Sequence, residues 1–298
     1  MTGSLLPIGM TRRGVLLASA GLVSACTVNP DRDHLGADAP REAPLRKPVR
    51  MAWVFSSGGP RGFTHVGVLK ALEQMDLKPD LIVGASVGAL VGSLCAAGLS
   101  AAALESLAME LQPLSLARLA MGQQERLSGA AVAELVRQYA PVSQLELMPV
   151  AMACVAARRR DGMAVAFTAG DAGVAVQAAA AIEGQFAPVR IRGEQYLDAD
   201  WSAPLPVRVA RALGAQRVLA VDASVHVDRA PPGAARYRES DLRKKALIDA
   251  DATVADLVLK PDFGYWVNIS QEFRARAIEA GYRETMAQAA ALRALHRA

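Results

Sequence analysis

The sequence predicts an α/β fold, a three-layer sandwich with a mostly parallel central sheet and helices on both faces. Short apolar runs typical of buried strands alternate with longer segments whose apolar residues have helical spacing. Of the 298 residues, 52% are hydrophobic, enough for one sizeable core and one domain. Aromatic residues make up only 5%, so we expect small side chains to fill much of the core.

The predicted elements follow in order from about Val49, and the domain runs from residue 49 to residue 298. The predicted strands are residues 51–55, 81–83, 150–156, 163–168, 195–201, 218–223 and 255–260. The predicted helices are residues 63–72, 87–97, 100–111, 130–139, 172–181, 207–213 and 272–296. Residues 224–250 are polar and contain Pro231-Pro232, so we interpret them as an exposed, partly mobile excursion. Residues 113–128 are either a cap over an apolar cleft or an ordinary surface connection.

Residues 1–25 have the pattern of a targeting segment. Arg12-Arg13 precedes an apolar stretch, residues 15–25, that is too short to span a bilayer. Val23-Ser24-Ala25-Cys26 resembles a bacterial lipobox. The resemblance implies cleavage before Cys26, which then carries the lipid (acyl chains such as palmitate). Residues 26–48 contain four prolines and suit a flexible tether; an unprocessed apolar N-terminus is the alternative.

The lipobox implies an exported bacterial lipoprotein, anchored to a membrane on the periplasmic side. Thr27 stands where an aspartate commonly retains lipoproteins at the inner membrane, which favours the outer membrane. The paired arginines also resemble a twin-arginine export signal, although Val15 stands where that motif favours phenylalanine. The export route therefore stays open.

Charge and cysteine content argue against two classes of function. The formal net charge is +4, and no long basic tract is present, so we predict no nucleic-acid partner. The three cysteines, Cys26, Cys95 and Cys154, form neither a metal-spaced pair nor a disulfide framework. We expect Cys95 and Cys154 to be small buried hydrophobes.

A G-x-S-x-G motif, Gly84-Ala85-Ser86-Val87-Gly88, lies between a predicted strand and a predicted helix. In that context it is typical of a nucleophile elbow, a turn so tight that side chains two residues before and after the serine would collide. Ser86 would then lie at a helix N-terminus, where backbone N–H groups favour a developing negative charge. A plain small-residue turn is the alternative.

A glycine-rich loop, Gly58-Gly59-Pro60-Arg61-Gly62, joins the first predicted strand to the first predicted helix. Such a loop can point backbone N–H groups at an anion, either a phosphate or an oxyanion. The Lys-Ser/Thr pair of a P-loop is missing, and no ribose-binding acid follows in the dinucleotide manner. Because Ser86 comes only 24 residues after Gly62, we favour an oxyanion hole.

A serine nucleophile needs a base, and two candidates remain. His34 lies in the tether, His296 is two residues from the end, and His65 lies in the first helix. His226 follows the strand at 218–223, where an α/β-hydrolase could place a triad histidine. Asp198 ends a short strand and could act directly if partial burial raises its pKa.

Taken in order, the motifs resemble those of the patatin-like phospholipases over roughly residues 49–290. The matching segments are Gly58-Gly59-Pro60-Arg61-Gly62 with Gly67-Val68-Leu69, Gly84-Ala85-Ser86-Val87-Gly88, Asp198 with Pro204 and Pro206, Lys260-Pro261-Asp262-Phe263-Gly264, and Ile278-Glu279-Ala280-Gly281-Tyr282. The resemblance implies a Ser86–Asp198 dyad that hydrolyses acyl esters of membrane lipids or lysophospholipids without a metal or other cofactor. It also implies that His65 and His226 have no catalytic role, and that Arg61 positions the loop or meets an anionic head group.

Two positions depart from the family pattern. Ser57 replaces a usual first glycine, and we expect strain there if the position needs a positive φ. Ala199-Asp200 replaces the small residues that usually follow the aspartate. Asp200 either raises the pKa of Asp198 by repulsion, or points to solvent or pairs with an arginine such as Arg190 or Arg192. The rival functions are an inactive lipid-binding lipoprotein and a triad esterase that uses His226.

Overall fold

The computed structural model describes residues 32–111 and 127–297. The strands are β1 (Met51–Phe55), β2 (Leu81–Ala85), β3 (Ala151–Arg158), β4 (Ala164–Phe167), β5 (Val189–Ile191), β6 (Glu194–Asp198), β7 (Arg217–Val221) and β8 (Leu257–Leu259). The helices are α1 (Phe63–Gln74), α2 (Val87–Ala96), α3 (Ala101–Glu110), α4 (Ala130–Tyr139), α5 (Ala172–Ala179), α6 (Val207–Ala212), α7 (Arg238–Ala252), α8 (Gln271–Ala287) and α9 (Ala289–Arg297).

One sheet organises these elements. Its strand order is β5-β6-β3-β2-β1-β7-β8, with β4 paired to β3 off this path. Strands β3, β2, β1, β7 and β8 run parallel, whereas β4, β5 and β6 are joined by antiparallel pairings. The mostly parallel sheet that the sequence predicted is therefore confirmed.

The core has two parts, one on each face of the sheet. Alternate residues of a strand point to opposite faces, and Trp53 and Val54 of β1 accordingly belong to different clusters. The larger cluster packs against α1 to α5 and α8, and the smaller one packs against α6 and α7. Helices thus cover both faces, as predicted. Cys154 is buried in the larger cluster, as predicted, whereas Cys95 is only partly buried and packs against that cluster.

Glycine allows α1 and α8 to touch. A Cβ at Gly67 would collide with the carbonyl oxygen of Ile278, and one at Gly281 would collide with that of Thr64. These two glycines lie in motifs that the sequence linked to the patatin-like phospholipases. Their role is close helix packing, which fixes α1 and hence the glycine-rich loop before it.

Residues 224–250 are mostly exposed, as predicted, but they are not an irregular excursion. Much of this segment is α7, a helix with Glu239 and Asp241 in its first turn, where acidic residues favour helix formation. Only Ile248 of α7 is buried, so an apolar stripe was too weak to reveal the helix. An ion pair between Arg208 and Asp251, with 2.9 Å between Nε and Oδ1, also holds it in place.

Three other expectations need correction. Part of the predicted tether packs on the domain, because the Arg41 N–H donates to the carbonyl oxygen of Ala169 at 2.9 Å and Ala39 is buried. The C-terminal helix is two helices, divided at Gln288. The strand β5 was not among the predicted strands.

Some predictions concern parts of the chain that are not described. The targeting segment 1–25 and Cys26 lie outside the described residues, as does most of the 113–128 connection. Among the residues that are described, no helix combines the length and the apolar character needed to cross a membrane.

Candidate active site

Ser86 lies at the tip of a strained turn between β2 and α2. Its backbone has φ 53° and ψ −124°, a conformation that side-chain-bearing residues seldom adopt. A Cβ at Gly84 would collide with the backbone of Gly88, and one at Gly88 would collide with the carbonyl oxygen of Phe55. The steric reason predicted for both elbow glycines is therefore confirmed, while Ala85 and Val87 are tolerated beside the serine.

Sheet register brings Asp198 to Ser86. Ala85 pairs with Val155 on β3, and the next β3 residue, Ala156, pairs with Asp198 at the end of β6. The Ser86 hydroxyl lies beside the Asp198 carboxylate and favours its charged form, and the N–H of Asp200 donates to Asp198 Oδ1 at 2.9 Å. Both side chains are buried, with Asp198 only 8% exposed.

The surroundings of Asp198 raise its pKa to about 7. Desolvation is the largest cause because burial penalises the charged form. The neighbouring Ser86 hydroxyl lowers the pKa, the nearby charge of Asp200 raises it, and that of Lys244 lowers it. A pKa near neutrality suits a carboxylate that accepts and returns a proton.

The glycine-rich loop folds as a single 3-10 turn, Gly59–Gly62, beside the elbow. Gly59 has φ +53°, and a Cβ at Gly62 would collide with the Val87 side chain. Pro60 is the second residue of the turn, and Gly58 precedes it as the N-cap. The glycines thus let the loop close over the start of α2, next to Ser86.

Arg61 ties the loop to the rest of the domain. Its Nε donates to the carbonyl oxygen of Ala223 at 2.7 Å, and its Nη1 donates to that of Gly264 at 2.8 Å. The guanidinium lies over the Phe263 ring, 4.3 Å from the centroid. Its buried Nη2 has no hydrogen-bond partner among the described residues. Arg61 therefore positions the loop, and the residue also lines a polar cavity at Ser86.

Two cavities meet at Ser86. The polar cavity, of about 420 Å³, is lined by Asp198, Asp200, Lys244 and other polar side chains. The apolar cavity, of about 350 Å³, is lined almost entirely by hydrocarbon from α2, α3, α4 and the loops beside them. Gly59 and Ile182 also border both. A separate cavity of about 450 Å³, lined in part by Arg32 to Ala39, contains neither Ser86 nor Asp198.

The two departures from the family pattern contact each other. The Ser57 hydroxyl donates to Asp200 Oδ1, and Lys244 Nζ lies 2.5 Å from the same oxygen. Ser57 is not among the described residues with positive φ. The condition under which we expected backbone strain at Ser57 is therefore not met. Asp200 pairs with Lys244 rather than with Arg190 or Arg192, and the expected repulsion of Asp198 by Asp200 is present.

Sequence reasoning missed Lys244. It comes from α7, the segment interpreted as an excursion, and its side chain is only 18% exposed. The spacing of Asp241, Lys244 and Ile248 was the available signal, since residues three and four apart share one helix face.

The histidines lie elsewhere. His65 is fully buried beneath the loop, its Nε2 is 3.0 Å from the carbonyl oxygen of Ser56, and burial lowers its pKa to about 4. His226 precedes the turn Val227–Arg229, interacts with Asp262, and lines neither cavity at Ser86. Within the described ranges, Asp198 rather than a histidine is the base candidate in contact with Ser86.

Comparison with known proteins decides the family. The sequence model described as patatin-like phospholipase matches residues 53–211, which include Ser86, Asp198 and the glycine-rich loop. The chain belongs to the patatin-like phospholipase family. Lys244 lies outside the matched range.

Similar proteins agree with this assignment. An uncharacterised NTE family protein of Mycobacterium tuberculosis is 29% identical over 178 residues, or 58% of this chain and 48% of the relative. Lysophospholipase NTE1 of Scheffersomyces stipitis is 25% identical over 184 residues, or 60% of this chain and 12% of the relative. This chain therefore spans half or less of the curated relatives that it matches.

The fold also matches a solved structure. VipD from Legionella pneumophila superimposes with a TM-score of 0.56 at 12% identity, covering 92% of this chain and 73% of VipD. At that identity the likeness establishes the fold alone.

Proposed function

We propose that this protein hydrolyses acyl esters of membrane lipids, as a phospholipase A or lysophospholipase, with Ser86 as nucleophile and Asp198 as general base. The observation that carries the proposal is the proximity of Ser86 to the buried Asp198, located where a polar and an apolar cavity meet. The family assignment supports a lipid ester substrate.

The first half-reaction forms an acyl-enzyme. Asp198 accepts the hydroxyl proton of Ser86 while Oγ attacks the ester carbonyl, and a tetrahedral oxyanion forms. Backbone N–H groups of the glycine-rich loop and the N-terminus of α2 stabilise the oxyanion. The intermediate collapses, the C–O bond of the ester breaks, and the departing alkoxide takes the proton from Asp198.

The second half-reaction releases the fatty acid. Asp198 takes a proton from water as the water oxygen attacks the acyl carbonyl. Collapse of the second intermediate returns the proton to Ser86 Oγ. No step needs a metal, because the reacting proton moves only between Ser86, Asp198, water and the leaving alcohol.

The two cavities suit the two parts of an amphipathic substrate. The acyl chain enters the apolar cavity, where leucine and valine side chains remove it from water. The glycerol and head group occupy the polar cavity, where Arg61 and Lys244 supply positive charge for an ester or phosphate oxygen. A lipid with one bound acyl chain and a polar head uses both.

Labelling with a fluorophosphonate, followed by peptide mapping, tests the proposal against an inactive lipid-binding protein. We expect the label on Ser86 and at least about a hundredfold slower labelling in Asp198→Asn. Ser224→Ala is a matched control, since Ser224 lines the same polar cavity, and it should react at the wild-type rate. Absence of label, or label on Ser224, would reject the proposed nucleophile.

We also propose that the protein is exported and lipid-anchored through Cys26, at the periplasmic side and more favourably at the outer membrane. The support is the lipobox-like Val23-Ser24-Ala25-Cys26 and the Thr27 that follows it. Cys26→Ala should remove the added lipid mass and move the protein out of the detergent phase. An unchanged mass and unchanged partitioning would count against the anchor.

A further inference from the structure

A loop beside the active site presents large apolar side chains to solvent. Trp266, Val267 and Ile269 are 51%, 45% and 41% exposed, and residues 263–270 carry no charge. Single exposed hydrophobics are ordinary on a protein surface, but a run of them marks an interaction site.

This loop is clamped at both ends. Arg61 Nη1 donates to the carbonyl oxygens of Gly264 and Tyr265 at 2.8 and 3.3 Å. Arg274 Nε donates to that of Ile269 at 3.0 Å. Both arginines are buried. The exposed tip is therefore held in place by the folded domain.

Aromatic contacts extend the loop into a wider surface. The Trp266 ring lies 6.3 Å from that of Tyr237, just before α7, and 5.1 Å from that of Tyr265. The Tyr265 hydroxyl donates to Asp241 Oδ2 of α7 at 2.5 Å. We define the docking face as Trp201, Tyr237, Trp266, Val267 and Ile269, with the exposed Arg236, Arg238 and Arg243.

The docking face borders both cavities. Ile269 lines the apolar cavity, and Trp201 lines the polar one. The Arg243 guanidinium lies 5.2 Å from the centroid of the Trp201 ring. A molecule resting on this face therefore covers the side from which a lipid enters.

The charged residues of the docking face are basic. Arg236, Arg238 and Arg243 are exposed, and no carboxylate is among the residues that define the face. Tryptophan and tyrosine rings prefer the head-group level of a membrane, and arginines there attract anionic lipids. We propose that the docking face binds the surface of an anionic phospholipid bilayer and delivers lipid to both cavities.

This inference goes beyond the proposed hydrolysis, because binding to a membrane can be measured without turnover. The test uses the full chain carrying Cys26→Ala, so that no lipid on that residue contributes. Vesicles of ether-linked phosphatidylcholine, with or without ether-linked phosphatidylglycerol, contain no acyl ester. Co-sedimentation then reports binding alone.

Two double variants change only residues that line neither of the two cavities at Ser86. Trp266→Ser with Val267→Ser should weaken binding to both kinds of vesicle by about tenfold. Arg236→Gln with Arg238→Gln should weaken binding by about tenfold to the anionic vesicles only, and salt should abolish the difference. Both should retain wild-type melting temperature and wild-type hydrolysis of a water-soluble butyrate ester.

Matched controls lie at the other end of the parallel strands. Leu147→Ser removes an exposed leucine before β3, and Arg46→Gln with Arg50→Gln removes two exposed arginines before β1. Each should change binding less than about twofold.

The outcomes separate the two proposals. Equal vesicle binding by face variants and controls would overturn the docking face. So would a wild-type dimer that the Trp266 and Val267 changes dissociate without affecting vesicle binding, since the face would then join two copies. Loss of vesicle binding in the face variants, with a wild-type protein inactive on the soluble ester, would support docking and contradict the proposed hydrolysis.

Discussion

The two sides of Ser86 differ in chemistry. On one side, α2, α3 and α4 present hydrocarbon around an apolar cavity. On the other, Glu183, Asp198, Asp200 and Asp241 share a cavity with Arg61 and Lys244. Hydrophobic contact is non-directional and depends on area, so the apolar side can select chain length. Charges act on protonation, so under the proposed mechanism the polar side sets the pH at which Ser86 reacts.

The largest expected effect concerns the base. Asp198→Asn should lower kcat by about a hundredfold to ten-thousandfold, since general-base catalysis contributes that much. His226→Ala should retain most activity, because His226 lines neither cavity at Ser86. Steady-state kinetics on a soluble ester measures both. The reverse ranking would replace the dyad with a histidine triad.

A larger side chain in the apolar cavity tests whether the acyl chain binds there. Leu107 lines the apolar cavity on α3, so Leu107→Trp should lower kcat/KM for long-chain esters by about tenfold to a hundredfold. The kcat/KM for butyrate esters should fall less than about threefold, because a four-carbon chain does not extend into the part of the cavity that the tryptophan fills. Leu147→Trp, on an exposed leucine elsewhere, is the control. Equal losses on both esters would mean that the chain does not use this cavity.

Burial of Asp198 should also reduce stability. The folded pKa is about 7 against about 4 for an unfolded aspartate. The folded state therefore holds the proton more tightly than the unfolded state. The resulting stabilisation of the fold is complete below about pH 4 and is lost as the pH rises through 7. At pH 8, Asp198→Asn should have a free energy of unfolding on the order of 1–4 kcal/mol higher than wild type.

Urea unfolding at several pH values checks this prediction. The difference between Asp198→Asn and wild type should grow between about pH 4 and pH 7. Glu183→Gln, at an exposed carboxylate on the same cavity, should stay within about 0.5 kcal/mol of wild type. A pH-independent difference for Asp198→Asn would indicate changed packing instead.

The smallest expected effect is a shift in the pH dependence of activity when the charges of the polar cavity are changed. Asp200 raises the pKa of Asp198 and Lys244 lowers it. Asp200→Asn should therefore move the acidic limb of the kcat/KM profile to lower pH, and Lys244→Gln should move it to higher pH. High salt should reduce both shifts. Superimposable profiles at low salt would exclude this coupling, and complete loss of activity in Asp200→Asn would point to Asp200 as the base.

Sequence reasoning found the parts of the site that depend on local sterics. The elbow and the glycine-rich loop are single turns whose glycines are required by backbone contacts at Gly62, Gly84 and Gly88. Short apolar runs also marked β1 and β2, and a run of small apolar residues marked α2. Asp198 was recognised through the family motif and the short strand before it.

The missed features depend on tertiary contacts. The helix α7 has one buried residue, so its hydrophobic pattern was weak. The contact of Ser57 with Asp200 joins residues 143 positions apart, and that of Lys244 with Asp200 joins residues 44 apart. Nothing local in the sequence reports such contacts. The strand β5 at the sheet edge was not predicted because three residues are too few to show an alternating apolar pattern.

The central claim is that Asp198, with a pKa near 7, activates Ser86. The rate of fluorophosphonate labelling of Ser86 as a function of pH tests it most directly. The rate constant should rise about tenfold per pH unit below pH 7 and level off above it, and Asp198→Asn should lose this inflection. The claim would be contradicted by an inflection that persists in Asp198→Asn, or by label on a residue other than Ser86.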